Sequence, residues 1–536
     1  MIMRLRHIFI ASAMTAASLA APAQDGLDNP VTKAMMEVYD TELAANPDNY
    51  EVLFRRANEY YRFNQYLRAL NDIEAAIRNI PAADTDLLFS AYELRGNIYQ
   101  ELGKYAEARA DFAKALEYDP TSFMALYQKA NAEYELGNYA EAKKDYTRMR
   151  AMDNRSAEAL TGLARVAVQE NNLGMAQQYM DDAVSMMPAD SDIYVRRSSV
   201  RRMLGNNTGA VDDLVMAISI DSNPKAFQEL VNLANIDYPS VVSGLTNAVI
   251  HAPEQGMFYY IRAQIAQAHK HFMPAVTDYK KIINDNLYSY PGIYNDLAQC
   301  YLALCKYNEA ADNARHAIGM PGDNRYFYLT VAEVQMAEGK PANAMINIER
   351  ALEPDPANIE ARTQQALCLY QLGKYDEGST IFGEMIMDNP QNYLAYIMQA
   401  WVIADGMNQP ANALPIYRRL VDATADEDQE GKTPSLTSYR GFALLFSGRK
   451  DEALAWAERL TALPDTDGSA HYLAACLYAQ AGENAKALEC ADVSLKRGYA
   501  DLYQWTKYEA GRINVAPLRK GTALTDLLSK YSYLFE

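Results

Sequence analysis

Apolar residues recur three and four apart along most of this chain, in short runs broken by the same kind of turn. In Phe89–Pro120, Tyr92, Gly96 and Tyr99 precede Leu102-Gly103-Lys104-Tyr105, and Ala108, Phe112, Ala115 and Pro120 follow it. That spacing puts one apolar stripe on each side of the turn and predicts two amphipathic helices. Gly103 suits the left-handed residue that ends the first helix, and Pro120 stops the second. The unit then repeats. Ala108, Ala142, Ala176 and Ala210 stand 34 residues apart, and Ala69, Ala275, Ala310, Ala344, Ala413, Ala453 and Ala487 extend the ladder with less even steps. One helix pair cannot bury its own apolar face, so the period predicts stacked pairs sharing a continuous core.

The copies restate more than the alanine. Gly137, Gly205, Gly339, Gly373, Gly448 and Gly482 repeat the turn glycine, and Ala130, Ala164, Ala263, Ala298, Ala332, Ala366, Ala400 and Ala475 repeat the small residue of the first helix. This pattern resembles the tetratricopeptide repeat (TPR), with Tyr where that family often has Trp. The resemblance implies an all-α fold, a right-handed α-solenoid of about twelve helix pairs with helical caps. Between Ser222 and Pro253 the helical pattern persists while the turn glycine and small residues are lost, which marks a distorted repeat. The organisation expected is therefore a signal peptide (1–23), a capping helix (24–48) and an N-terminal array (49–222). A degenerate repeat (223–254), a central array (255–424), an acidic loop (425–434), further repeats (435–499) and a C-terminal cap (500–536) complete it.

Composition and charge narrow the setting. Arg4 and Arg6, the short apolar run Ile8 to Ala20, and Ala21-Pro22-Ala23 have the layout of a secretory leader with an A-x-A cleavage site. The apolar run is shorter than the ~20 residues a membrane span needs, so a soluble exported protein is expected, with periplasm as the leading location and no membrane insertion after cleavage. Loss of Arg4 and Arg6 would take the formal net charge from −19 to about −21. Such a balance opposes binding to nucleic-acid backbones, which needs clustered Lys and Arg. It fits a well-solvated convex face or a preference for a basic partner.

No catalytic chemistry stands out. Cys300, Cys305, Cys368, Cys476 and Cys490 read as small buried thiols, with a Cys476–Cys490 bridge left open. Asp426, Asp428, Glu430 and Gly431 imitate a calcium loop, but Thr437 replaces its bidentate Glu. Gly431-Lys432-Thr433 lacks the first glycine of a phosphate loop, and Ser222-x-x-Lys225 lacks its companion motifs. His269 and His271 read as exposed turn residues without a third ligand. Neither a catalytic residue, a cofactor nor a metal is expected.

A ligand would meet the first helices of the pairs, because in TPR proteins these line a concave groove. The resemblance places Asn58, Asn97, Asn131 and Arg165 at one repeat position in the N-terminal array, with Tyr61, Tyr127 and Tyr134 nearby. Successive Asn amides can pair with an extended peptide backbone, or equally with neighbouring helices. Asn97, Asn131 and Arg165 also resemble part of the carboxylate clamp of chaperone-binding TPR domains, but Glu93 and Thr161 stand where that clamp has lysines. In the C-terminal half the same register is apolar: Leu367, Tyr370, Leu394, Ile397, Trp401, Phe442, Leu445 and Phe446. This stripe is either a partner-binding surface or packing between repeats. The expectation is a non-enzymatic exported scaffold that binds a peptide segment or protein partner in its groove, in envelope or secretion complex assembly. The alternative is a holdase-type chaperone for apolar segments; an enzyme is disfavoured.

Overall fold

The computed structural model describes residues 29–153, 156–322, 324–425 and 434–536. The leader and residues 426–433 of the acidic loop lie outside the described residues, and with them the calcium-loop and phosphate-loop look-alikes. Among the described residues every regular element is helical, and consecutive helices pack as pairs. The all-α repeat architecture expected from the period is the one present. The chain divides into two compact units, one ending at Asn232 and the other running from Leu233 to Glu536.

The N-terminal unit opens with the helix Pro30–Ala45, whose N-cap Asn29 accepts a hydrogen bond from the Val31 amide. Five helix pairs follow, from Tyr50–Arg62 with Tyr66–Asn79 to Ser191–Met203 with Asn207–Asp221. Each first helix is started by an oxygen-bearing cap: Asn49, Asp84, Ser122, Ser156 and Asp190 all accept from amides of the first turn. Each pair turns on a left-handed residue. Gly103, Gly137 and Gly205 serve with φ of 71°, 77° and 75°, and Asn64 and Asn171 replace glycine at 58° and 56°. The small residues act as expected, since a Cβ on Gly162 would sit 2.4 Å from the Tyr146 ring.

One device of this unit is electrostatic. A cation on the first helix of a pair clasps an aspartate on the second, sixteen residues later: Arg56–Asp72, Arg95–Asp111, Lys129–Asp145 and Arg197–Asp213. The aspartates are buried, and Arg95 engages Asp111 through two nitrogens at 2.7 Å each. Such forked pairing fixes the angle between two helices, because both bonds form in only one geometry.

The C-terminal unit repeats the theme with departures. The degenerate repeat, within which this unit begins at Leu233, is one helical stretch, Pro224–His251, of two helices kinked at Asp237 (φ −143°, ψ 70°) just before Pro239. Asp237 caps the second half, accepting from the Ser240 amide at 3.2 Å and its hydroxyl at 2.8 Å. Two helices thus meet with no loop between them, which explains the missing turn glycine. Seven further pairs run from Gly256–Ala268 to Asn484–Lys496. Arg262 clasps Asp278 here as in the other unit, at 2.7 Å. The helix Tyr393–Trp401 continues into a wider π-turn, Val402–Gly406, that ends at Asp405 and Gly406.

The last residues do more than close the stack. Ala523–Lys530 packs on the final repeat helix, where the Lys530 ammonium and the Tyr531 hydroxyl both bond Asp492. Residues 499–520, however, contact the first helices and inter-helix turns of several other repeats. The Ala500 amide donates to the Lys270 carbonyl at 3.2 Å, Thr506 meets Cys305, Arg512 bonds Asp405, and Gly511 lies against Ile397 and Met398. Trp505 is fully buried between Tyr472 and Tyr499. Arg519 ties the segment to itself by donating to the carbonyls of Gln504, Trp505 and Tyr508.

Candidate functional site

The two rows of candidate residues have different surroundings. In the N-terminal unit Asn58 is exposed and Asn97 is half-buried. Gln128 donates to the Asn97 carbonyl oxygen at 3.3 Å, linking two successive first helices. Asn131 is buried, and its oxygen accepts from the Tyr146 hydroxyl at 2.7 Å and from Arg165 at 3.2 Å. Arg165 also bonds Glu135 at 2.7 Å and lies 4.0 Å above the Tyr134 ring. Asn131 and Arg165 are therefore engaged in bonds between adjacent repeats, while Asn58 and the outer part of Asn97 face water.

Beside Asn97 on the same helix stand Glu93 and Gln100, four residues before and three after, so all three share one face. Glu93 is half-buried, and loss of water pushes its carboxyl above the usual carboxylate range. No cation among the described residues pairs with it. The Gln100 side-chain oxygen is buried without a hydrogen-bond partner. Glu93 and Thr161 stand where the clamp has lysines, so this face lacks the ammonium groups that hold a carboxylate.

The C-terminal row is covered in part, with Leu367, Leu394, Leu445 and Phe446 only half-buried. Ile397 and Phe442 are fully buried, Trp401 is 5% exposed, and Tyr370 is half-buried and stacked on Trp401 with ring centroids 4.1 Å apart. The tail supplies part of the cover: Gly511 touches Ile397, and the Arg512 guanidinium lies 5.8 Å from the Phe446 ring. A cavity of about 560 Å³ remains beside the segment, lined by Tyr370, Trp401 and Asp405 on the repeats and by Tyr508, Arg512 and Lys520 on the tail.

One expectation changes in this unit. His269 is buried and His271 half-buried, not exposed; both rings lie 4.7 Å from the Tyr238 ring, and Gly498 approaches His271. Burial lowers both imidazoles, His269 to about 4, against the opposing pull of Asp467. The cysteines are free thiols, with Cys476 and Cys490 unbridged. Among the described residues no group of three His, Cys, Asp or Glu side chains could hold a metal ion, and no helix is long and apolar enough to cross a membrane.

Sequence reasoning missed the residues that dock the tail. One signal was available: of the turns inside helix pairs, those at Lys270 and Cys305 hold a left-handed residue that is neither Gly nor Asn (φ 64° and 57°). These are two of the places the tail touches. A side chain or carbonyl engaged by the tail offsets the cost of that backbone, which a free turn would avoid with glycine.

Stacked pairs of antiparallel helices on a continuous core define the helical-repeat class of α-solenoid proteins. Models of the tetratricopeptide repeat match residues 89–122, 127–192, 335–401 and 434–459. The chain is a tetratricopeptide repeat protein. No curated protein matches it. Among solved structures it is similar to YrrB, described as a TPR protein with an unusual peptide-binding site, at 20% identity over 36% of this chain and 96% of that one, with a TM-score of 0.28. A tetratricopeptide repeat protein from Parabacteroides merdae is 18% identical over 53% of this chain and 98% of that one, with a TM-score of 0.29. The C-terminal part of a TPR protein from Cytophaga hutchinsonii is 18% identical over 43% and 94%, with a TM-score of 0.34. The repeats mark a protein-interaction scaffold, of a family that is generally non-catalytic.

Proposed function

We propose that this protein is an exported scaffold that holds a peptide segment or protein partner in the groove of its N-terminal unit, during assembly of a cell-envelope or secretion complex. The observation that carries this is the contrast between the two rows. Asn58 and Asn97 present amides to water, whereas Ile397, Trp401 and Phe442 lie buried in a unit whose groove its own tail occupies. A polar row flanked by Tyr61, Tyr127 and Tyr134 suits an extended backbone, with affinity built across several repeats rather than in one pocket. The leader pattern at Arg4 to Ala23 supports export to the periplasm, and a formal net charge of −19 favours a partner other than nucleic acid. The holdase reading depended on an open apolar stripe, and Ile397, Trp401 and Phe442 in that stripe are buried.

A photo-crosslinking amino acid at position 58 or at position 397, in whole cells, tests the reading. Adducts of fixed size from position 58 and none from 397 are expected. The groove assignment fails if position 58 yields none, and the export assignment fails if the protein keeps its leader and stays in the cytoplasmic fraction.

A further inference from the structure

We propose that the N-terminal groove selects a partner segment carrying a cationic side chain, lysine or arginine, which seats on Glu93. This rests on the groove reading above and adds the chemistry of what the groove prefers. Glu93, Asn97 and Gln100 form one half-buried stripe on Thr85–Glu101, in which Asn97 accepts from Gln128 of the next first helix. The packing faces of this helix are accounted for: Leu88, Ala91, Leu94 and Ile98 enter the core with the preceding pair. Gly96 faces Phe112, and Arg95 is held by Asp111. The only cation of this helix is thus already engaged on another face.

Glu93 sits half-buried with no ion pair among the described residues, and loss of water raises its carboxyl. A carboxylate held out of water without a counter-charge costs free energy in the unbound protein. An incoming ammonium or guanidinium removes that cost, so it gains more here than at a fully hydrated acid. Gln100 adds an acceptor on the same stripe, because no described residue donates to its oxygen; that atom is covered in the unbound chain, so a ligand reaches it by turning the side-chain amide. Farther along, Asn131 and Arg165 already satisfy each other, so they offer little discrimination. The free chemistry of the groove is therefore acceptor-rich and anionic around Glu93. An anionic partner segment would be rejected there.

The test is selection of a randomised dodecapeptide display library on the full chain, on Glu93→Gln and on Glu93→Lys, with Glu107→Gln on an exposed helix face as the control for overall negative charge. Enrichment of Lys and Arg by about fivefold or more is expected on the wild type and on the control. It should disappear on Glu93→Gln and shift to Asp and Glu on Glu93→Lys. Peptides enriched without a basic residue, or the same motif on all four proteins, overturn the proposal and leave the groove reading standing. No enrichment on any of them overturns both. Thermal unfolding of each variant shows that it is folded; Glu93→Gln is expected to be at least as stable as the wild type.

Discussion

The Arg512 guanidinium grips the Asp405 carboxylate across 107 residues of chain, with its Nε at 2.9 Å from one oxygen. The π-turn at Val402–Gly406 ends with Asp405 placed at that contact, and a side chain on Gly406 would collide with Tyr375 and Tyr370. The pair is half open to water, so it acts as a latch more than as a source of stability. Arg512→Ala is expected to lower stability by only about 1 kcal/mol. Hydrogen exchange in residues 499–520 should nevertheless rise about five- to tenfold, since local opening responds to a latch before global unfolding does. Trp505→Ala, at a fully buried site, should cost about 3–5 kcal/mol in a denaturant titration.

The Arg95–Asp111 clasp makes a different prediction, because its aspartate is buried. Asp111→Ala leaves a guanidinium largely out of water without its partner, and should cost about 2–4 kcal/mol. Replacing both residues with Met and Leu removes the unpaired charge and should recover most of that loss. A double-mutant cycle by urea unfolding measures the coupling. A double variant no better than Asp111→Ala would show that the forked geometry itself holds the helices.

Much of this fold was readable because the repeat is local. Gly103, Ala108 and Phe112 lie within one helix pair, so their spacing reports their contacts. The clasp was readable too, since Arg56, Arg95, Lys129 and Arg197 each precede an aspartate by sixteen residues, although the apolar pattern drew attention away from it. The tail was not readable. Its partners Lys270, Cys305 and the pair Ile397 and Asp405 belong to three different repeats, and no local period connects Trp505 or Gly511 to any of them. His269 and His271 looked like surface residues because Tyr238 belongs to the preceding repeat, where the motif is lost, and Gly498 comes from the far end of the unit. The stripe Tyr370, Ile397, Trp401 and Phe442 was correctly seen as apolar, but sequence alone does not say whether a partner or the chain itself covers it.

Acid and base act on this unit in opposite directions. Burial lowers His269 from 6.5 to about 4, so between those values the unfolded chain takes up a proton that the folded chain refuses. Stability from this group therefore falls as pH drops from about 6.5 to 4, and His271 adds in the same direction. Burial raises Asp296 from 3.8 to about 7, against hydrogen bonds from Gln264, Asn295 and Tyr260. Its contribution is complete below 3.8 and is lost as pH rises through about 7. The two effects are of the order of 3 kcal/mol each and largely cancel across the mildly acidic range. Asp296→Asn should uncover the histidine limb, so that stability climbs with pH from 4 to 6.5 in urea titrations. His269→Gln should uncover the other limb, with stability falling toward pH 7.

Trp401 and Asn58 separate the roles of the two grooves. Trp401 is stacked on Tyr370 at 4.1 Å and almost fully buried. Its replacement by Ala removes a large buried ring and should cost about 3–5 kcal/mol. Partner recovery by the variant, measured below its melting temperature, should match the wild type, because the ring lies inside the unit. Asn58 is exposed and supports no packing, so Asn58→Ala should change stability by less than about 0.5 kcal/mol. It should weaken partner recovery several-fold, since an amide that pairs with a bound backbone is worth about 1 kcal/mol. The opposite pattern, in which Trp401→Ala keeps its stability and loses the partner while Asn58→Ala loses nothing, would mean that the tail leaves the groove and that the aromatic stripe is the binding surface.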